Sequence, residues 1–223
     1  MAEAVSLTLS DNIAVVTIDS PPVNAMAQNV RAGLKRAFVD LQARKDVKAV
    51  VIVCKGRTFV AGADIGEFDS GIAPPGYYEV LGLIEDCAVP VVAAVHGTAL
   101  GGGMEITLAS HYRVADEAAR FGLPELTLGI IPGAGGTQRL PRLIPLEAAT
   151  DLILSSKPMP AARARELGLV DALVKGDIIE GGIAFARELV ARGAGPRRTR
   201  ELAVLGAENA AELFAAKRAQ VAK

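Results

Sequence analysis

The sequence predicts an α/β fold of repeated strand–helix units followed by a helical C-terminal region. Three observations carry this. Short β-branched runs recur along the first 140 residues. Each is followed by a segment with apolar residues at helical spacing. After Pro141 the strand-like runs give way to helical patterns. With 223 residues, 51% of them hydrophobic, the chain fills a sizeable core and lacks the composition of a disordered segment.

Taken in order, residues 14–19 (Ala-Val-Val-Thr-Ile-Asp) read as a strand. Residues 24–45 then carry Met26, Val30, Leu34, Phe38 and Leu41, a helical spacing. Residues 49–54 (Ala-Val-Val-Ile-Val-Cys) form the next strand. A loop follows with Gly62, Gly66, Gly71 and the Pro74-Pro75 pair, and residues 77–86 read as helix. Residues 91–95 form a third strand, and Gly101-Gly102-Gly103 opens another helix. Strand starts recur at intervals of roughly 35 to 40 residues, the size of one stacked structural unit. The units share little sequence, so this is a structural rhythm. Beyond Pro141, residues 146–155, 161–167, 178–192 and 200–222 read as helices. Gly168 suits a helix C-terminus, and Gly193 and Gly195 end the next helix. The core is expected over residues 1–195, and residues 196–223 form a helical tail or the start of a linker.

Composition excludes several function classes. The 24 Lys+Arg nearly balance the 25 Asp+Glu, leaving no basic field for nucleic acid. Aromatic residues make up 4% with no Trp, a poor basis for stacking platforms. Cys54 and Cys87 have no metal or redox spacing and read as buried thiols of a reducing compartment. Residues 1–10 have neither a basic start nor a long apolar stretch, so the expected location is cytoplasmic. The longest apolar tract, residues 89–108, contains His96, Glu105 and four glycines. It fits a buried strand–turn–helix, and no membrane association is expected.

Three segments carry candidate chemistry. In residues 95–105 a strand runs into three glycines and then a helix holding Glu105 in its first turn. The first N–H groups of a helix lack partners inside it and favour negative charge. This turn therefore holds an anion or a developing oxyanion, or is a tight packing turn with a dipole-complementing glutamate. In residues 59–68 the Ala63 N–H is a candidate second donor, against an ordinary connection capped locally by Asp64. In residues 121–125 (Phe-Gly-Leu-Pro-Glu) Glu125 precedes an apolar run. There it is either partly desolvated, with a pKa raised toward acid–base use, or a surface turn residue. Gly133-Ala134-Gly135-Gly136 lacks the Lys-Ser/Thr of a phosphate loop and reads as a helix-opening turn. His96 and His111 have no acidic or cysteine partners at ligand spacing, so no metal site is expected. No Gly-x-Ser-x-Gly elbow anchors a hydrolase triad.

Together these segments resemble the enoyl-CoA hydratase/isomerase, or crotonase, family. The resemblance rests on Ala61-Gly62-Ala63-Asp64-Ile65, on residues 99–103 with Glu105, and on Phe121-Gly-x-Pro-Glu125 with residues 131–139. Ala161, Ala164 and residues 168–170 add to it. It implies a crotonase-like spiral of repeated ββα units whose C-terminal helical region reads as truncated. It also implies that the Ala63 and Gly102 N–H groups form an oxyanion hole for an acyl-CoA thioester. Glu105 would be the base toward water and Glu125 the group that supplies the α-proton. Ala61, Gly62, Asp64 and Ile65 would line the adenine part of the CoA site, with Arg57 as a phosphate contact. Residues 66–78 would border the acyl tail. The substrate is then a small-molecule 2-enoyl-CoA, hydrated in fatty-acid β-oxidation with some Δ3-Δ2 isomerase capacity, and no cofactor is required. Two other readings are mainly isomerase activity, and an acyl-CoA-binding fragment with little turnover.

At its C-terminus the sequence departs from single-domain members, which continue a few dozen residues further. Residues 110–115 and 197–200 are more similar to the hydratase half of a bifunctional hydratase/3-hydroxyacyl-CoA dehydrogenase. The resemblance therefore implies a homotrimer or one domain of a larger bifunctional polypeptide.

Overall fold

Residues 3–67 and 71–221 are described by a computed structural model. Their main sheet has six strands: β1 (Val5–Ser10), β2 (Ile13–Ile18), β3 (Ala49–Cys54), β4 (Val91–Val95), β6 (Tyr112–Asp116) and β9 (Ala172–Val174). They lie in that order. β1 runs antiparallel on one edge and the others are parallel. A parallel strand is covered on both faces, which is why β3 and β4 are apolar without interruption and fully buried. Alternation still sorts their side chains. Val50, Ile52 and Cys54 join the larger core beneath helices α1 (Gln28–Gln42) and α2 (Tyr77–Glu85). Ala49, Val51 and Val53 face a second core against helix α7 (Ile178–Ala191). Gly182 permits that approach, because a Cβ there would lie 2.7 Å from the Ala94 Cβ and 3.0 Å from Val51.

A second, smaller sheet joins β5 (Thr98–Leu100), β7 (Arg120–Gly122) and β8 (Met159–Pro160). Single bridges Met26–Ala63 and Val60–Ala99 continue its pairing back into earlier turns of the chain. Successive units therefore place one strand in the main sheet and one short rung in the small sheet. Helix α3 (Gly102–Ala109) follows β5, and the short α4 (Gly136–Arg139) follows the turn after β7. Helices α5 (Leu146–Ser155), α6 (Ala161–Glu166) and α8 (Ala210–Val221) complete the described residues.

Two expected helices change extent. The first starts at Gln28 rather than residue 24, because Asn24 is buried with a φ of 53° and its amide donates to the carbonyls of Lys55 and Thr58. The expected helix over residues 200–222 is broken. Thr199–Glu201 and Ala207–Asn209 are isolated 3-10 turns, Gly206 has a φ of 83°, and only Ala210–Val221 is α-helical, with no buried residue. Cys54 is buried as expected, but Cys87 is only half-buried.

Candidate active site

Tight backbone packing creates the site. Gly101 takes φ 50° and ψ −120°, a conformation that turns the chain from β5 into α3. A Cβ on Gly103 would fall 2.0 Å from the Val60 carbonyl oxygen, so α3 sits directly on the preceding turn of the spiral. One turn earlier, the Met26–Ala63 bridge fixes Ala63, with the Met26 N–H donating to Gly62 O at 2.9 Å. A Cβ on Gly102 would stand 3.7 Å from the Ala63 nitrogen. The two amides are thus neighbours, and the Gly102 N–H, at the start of α3, has no partner within its helix.

Ala63 and Gly102 open on a cavity of about 230 Å³ together with Glu105 and Glu125. Ile72, Tyr77, Ile130, Ile131 and Ala134 make the rest of its wall largely apolar. Ile72 and Tyr77 belong to the loop and helix expected to border an acyl tail; residues 68–70 of that loop lie outside the described residues.

Glu105 is 3% exposed. Its Oε1 accepts the Ala134 N–H at 2.8 Å and the Gly136 N–H at 2.9 Å, which fixes the carboxyl plane and leaves Oε2 free of those two bonds. Burial pushes its pKa up to about 7. The two amide bonds and Arg139 oppose this shift, while the nearby Glu125 adds to it. Glu125 starts the 3-10 turn Glu125–Leu128, and its Oε1 lies 3.2 Å from where a Cβ on Gly101 would be. Burial raises its pKa too. Its Oε2 is buried without a hydrogen-bond partner among the described residues. Two carboxyls poised to exchange protons thus share one apolar cavity with two main-chain donors.

Arg57, Ala61, Gly62, Asp64 and Ile65 are not among the residues lining this cavity. The Ala61 N–H donates to Val23 O, and the Gly62 carbonyl serves the Met26 bridge. The Asp64 Oδ1 accepts the Gly66 N–H at 3.0 Å, a local cap. Ile65 is 61% exposed and Arg57 is exposed. Sequence reasoning missed Arg139 and Glu85. The buried Glu85 of α2 receives the Arg139 Nε at 3.1 Å and Nη2 at 2.8 Å. Arg139 Nη1 donates to the Ala134 carbonyl at 3.0 Å. The only local signal was an arginine closing a glycine-rich turn. Its partner stands 54 residues away. His111, without a site role in the sequence, is a buried structural residue. Its Nδ1 accepts the Val91 N–H, so Nε2 carries the proton and donates to the Glu85 carbonyl.

A spiral of ββα units enclosing an apolar cavity with two carboxyls defines the class. The chain belongs to the enoyl-CoA hydratase/isomerase family, whose profile matches residues 8–211. It is 46% identical over 201 residues to the peroxisomal fatty acid beta-oxidation multifunctional protein AIM1 of Arabidopsis thaliana, covering 85% of this chain and 28% of that protein. The chain thus spans little more than a quarter of that relative's length. It is 41% identical over 192 residues to a probable enoyl-CoA hydratase of Bacillus subtilis (strain 168), covering 82% of this chain and 74% of that one. The crystal structure of an enoyl-CoA hydratase from Mycobacterium tuberculosis H37Rv superposes with a TM-score of 0.80 at 33% identity, covering 85% of this chain and 77% of that one. The expected crotonase-like fold and the likeness to multifunctional β-oxidation proteins are both borne out.

Proposed function

We propose that this chain is an enoyl-CoA hydratase that adds water across the C2=C3 bond of 2-enoyl-CoA thioesters. The observation that carries the reading is the shared cavity of Glu105, Glu125, Ala63 and Gly102. In the ionised state Glu105 takes a proton from water, and the oxygen of that water bonds to C3. The C2=C3 electrons move toward the thioester carbonyl, whose oxygen gains charge. The Ala63 and Gly102 amides stabilise that charge without reorganising. Glu125, in its protonated state, then delivers a proton to C2. Glu105 ends protonated and Glu125 ionised, and exchange with solvent resets the pair. The step is redox-neutral, and acyl-CoA is its substrate rather than a cofactor. The test is direct: the purified chain is mixed with crotonyl-CoA, and loss of the enoyl thioester absorbance is followed. Absence of hydration in protein that binds the thioester sinks the proposal.

The carboxyl pair also predicts a pH profile. The active pair holds one proton, so hydration falls on the acid side when both groups are protonated and on the alkaline side when both are ionised. The two limbs belong to the pair as a unit. With Glu105 held up at about pH 7, one limb of a bell-shaped kcat/KM profile, which reports the free enzyme, is expected near neutrality. A flat kcat/KM between pH 5 and 9 contradicts the assignment.

A 3-enoyl-CoA is a second substrate under this reading, because one carboxyl can carry a proton between C2 and C4. Isomerisation that survives Glu105→Gln while hydration is lost would place that transfer on Glu125.

A further inference from the structure

We propose that Arg139 is a positioning residue of this site: held between the buried carboxylate of Glu85 and the carbonyl of Ala134, it fixes the turn whose amides grip Glu105. The proposal rests on the hydratase reading only for the meaning of its kinetic readouts; the geometry stands apart from it.

The turn over residues 133–136 has two sides. Toward the cavity, the Ala134 and Gly136 N–H groups converge on one oxygen of Glu105, at 2.8 and 2.9 Å. Away from it, the Ala134 carbonyl accepts from Arg139 Nη1 at 3.0 Å. The two peptides that hold Glu105 therefore flank a third, Ala134–Gly135, whose carbonyl is gripped by a guanidinium. That guanidinium is itself anchored, because its Nε and Nη2 both reach Glu85 Oε2, and Glu85 is 1% exposed. A planar fork with fixed donor directions holds a peptide plane as a flexible ammonium cannot. Gly135 bears out how close the fit is. Its φ is 100°, and a Cβ there would lie 2.4 Å from Arg139 Nη1, so a side chain at this position would have to displace the guanidinium from the Ala134 carbonyl.

The anchor has a further attachment. Glu85 Oε1 accepts the main-chain N–H of Arg200 at 2.8 Å, and the Arg200 side chain pairs with Asp86. The C-terminal segment is thereby joined to α2 and, through Arg139, to the turn at Glu105. Neither Arg139 nor Glu85 lines the cavity that Glu105 and Glu125 share.

Three charged or titratable groups bear on Glu105. They are Glu125 from the 3-10 turn, Tyr77 of α2 across the cavity, and Arg139 behind the turn. Removing Arg139 thus takes away both a clamp and the positive charge among them. The experiment compares wild type, Arg139→Met and Arg139→Lys. Its readouts are the Glu105 carboxyl titration by 13C NMR, amide exchange at Ala134 and Gly136, and hydration kinetics. Arg139→Met is expected to raise the Glu105 midpoint and speed exchange at both amides. It should also lower kcat about 100-fold, with KM within about threefold, as expected for a group outside the cavity that acts through Glu105. Arg139→Lys should return the midpoint toward wild type while exchange stays fast, since it restores charge without the fork. If Arg139→Met fails to fold, Arg139→Lys alone decides: slow wild-type exchange at both amides with wild-type kcat overturns the proposal. An unmoved Glu105 midpoint in folded Arg139→Met overturns it as well. Movement of the midpoint and of exchange, in a protein whose wild type hydrates no enoyl thioester, supports the clamp and fails only the hydratase reading.

Discussion

Glu105→Gln is expected to reduce kcat for crotonyl-CoA hydration by roughly 10²- to 10⁴-fold, the contribution of a positioned general base. Glutamine keeps a carbonyl oxygen for the Ala134 and Gly136 amides, so the fold around it should persist. The same variant should gain stability at alkaline pH. Glu105 sits near pH 7 in the folded chain against an ordinary 4.5. A carboxyl whose folded value is raised favours the folded state fully below about 4.5, and that advantage fades as pH climbs through about 7. The ionised group therefore costs about 3 kcal/mol at high pH, to order of magnitude. Thermal melts of both proteins at pH 5 and pH 8.5 check this: the variant should melt later than wild type at the higher pH, and the gap should shrink at the lower. A variant equally active, or one that loses rather than gains stability at pH 8.5, contradicts the role of Glu105.

The second large effect concerns backbone packing. Gly103→Ala places a methyl 2.0 Å from the Val60 carbonyl oxygen and 2.8 Å from its carbon. These are main-chain atoms. Val60 O also receives the Leu100 N–H at 3.0 Å, and Val60 bridges Ala99, so neither side can yield without breaking a rung of the small sheet. Overpacking against backbone is expected to cost about 3 kcal/mol or more. For a chain of this size that is a fall in Tm of roughly 6–12 °C, measured by calorimetry or circular dichroism. Any folded fraction should hydrate poorly, because the strain falls on the segment leading to Ala63. An unchanged Tm would mean that α3 does not rest on Val60.

Elements with strong periodicity were legible in the sequence. β3, β4 and α5 fall on the expected residues, because uninterrupted β-branched runs and a clean helical stripe admit few alternatives. The small sheet was not legible. β5 and β7 have three residues each and β8 has two, too few to display a period of two, and their pairing is decided by distant partners. Of the site, the cavity assembles Ala63, Gly102, Glu105 and Glu125, each marked by glycine or proline chemistry beside it. Glu85 lacked any such mark, and Arg139 had only its place closing the glycine-rich turn. A buried ion pair is a property of two places in space, and neither residue's neighbours in the chain announce it. The break after Thr199 was masked in a similar way: residues 200–222 have helix-forming composition, and only Gly206 signals the interruption.

The bridges Met26–Ala63 and Val60–Ala99 make the spacing of the reactive groups a matter of sheet pitch. Neighbouring strands stand about 4.8 Å apart whatever their side chains. Ala63 and Gly102 come from adjacent turns of the spiral, so hydrogen-bonded backbone acts as a ruler between them and loop length does not enter. Substitutions outside that ladder, such as at Ile72 in the cavity wall, can change the shape of molecule admitted while the ruler keeps the distance between the amides unchanged. Selectivity can drift at one position of the chain without disturbing reactivity at another, a separation that makes Ile72 the place to randomise when a differently shaped molecule is wanted.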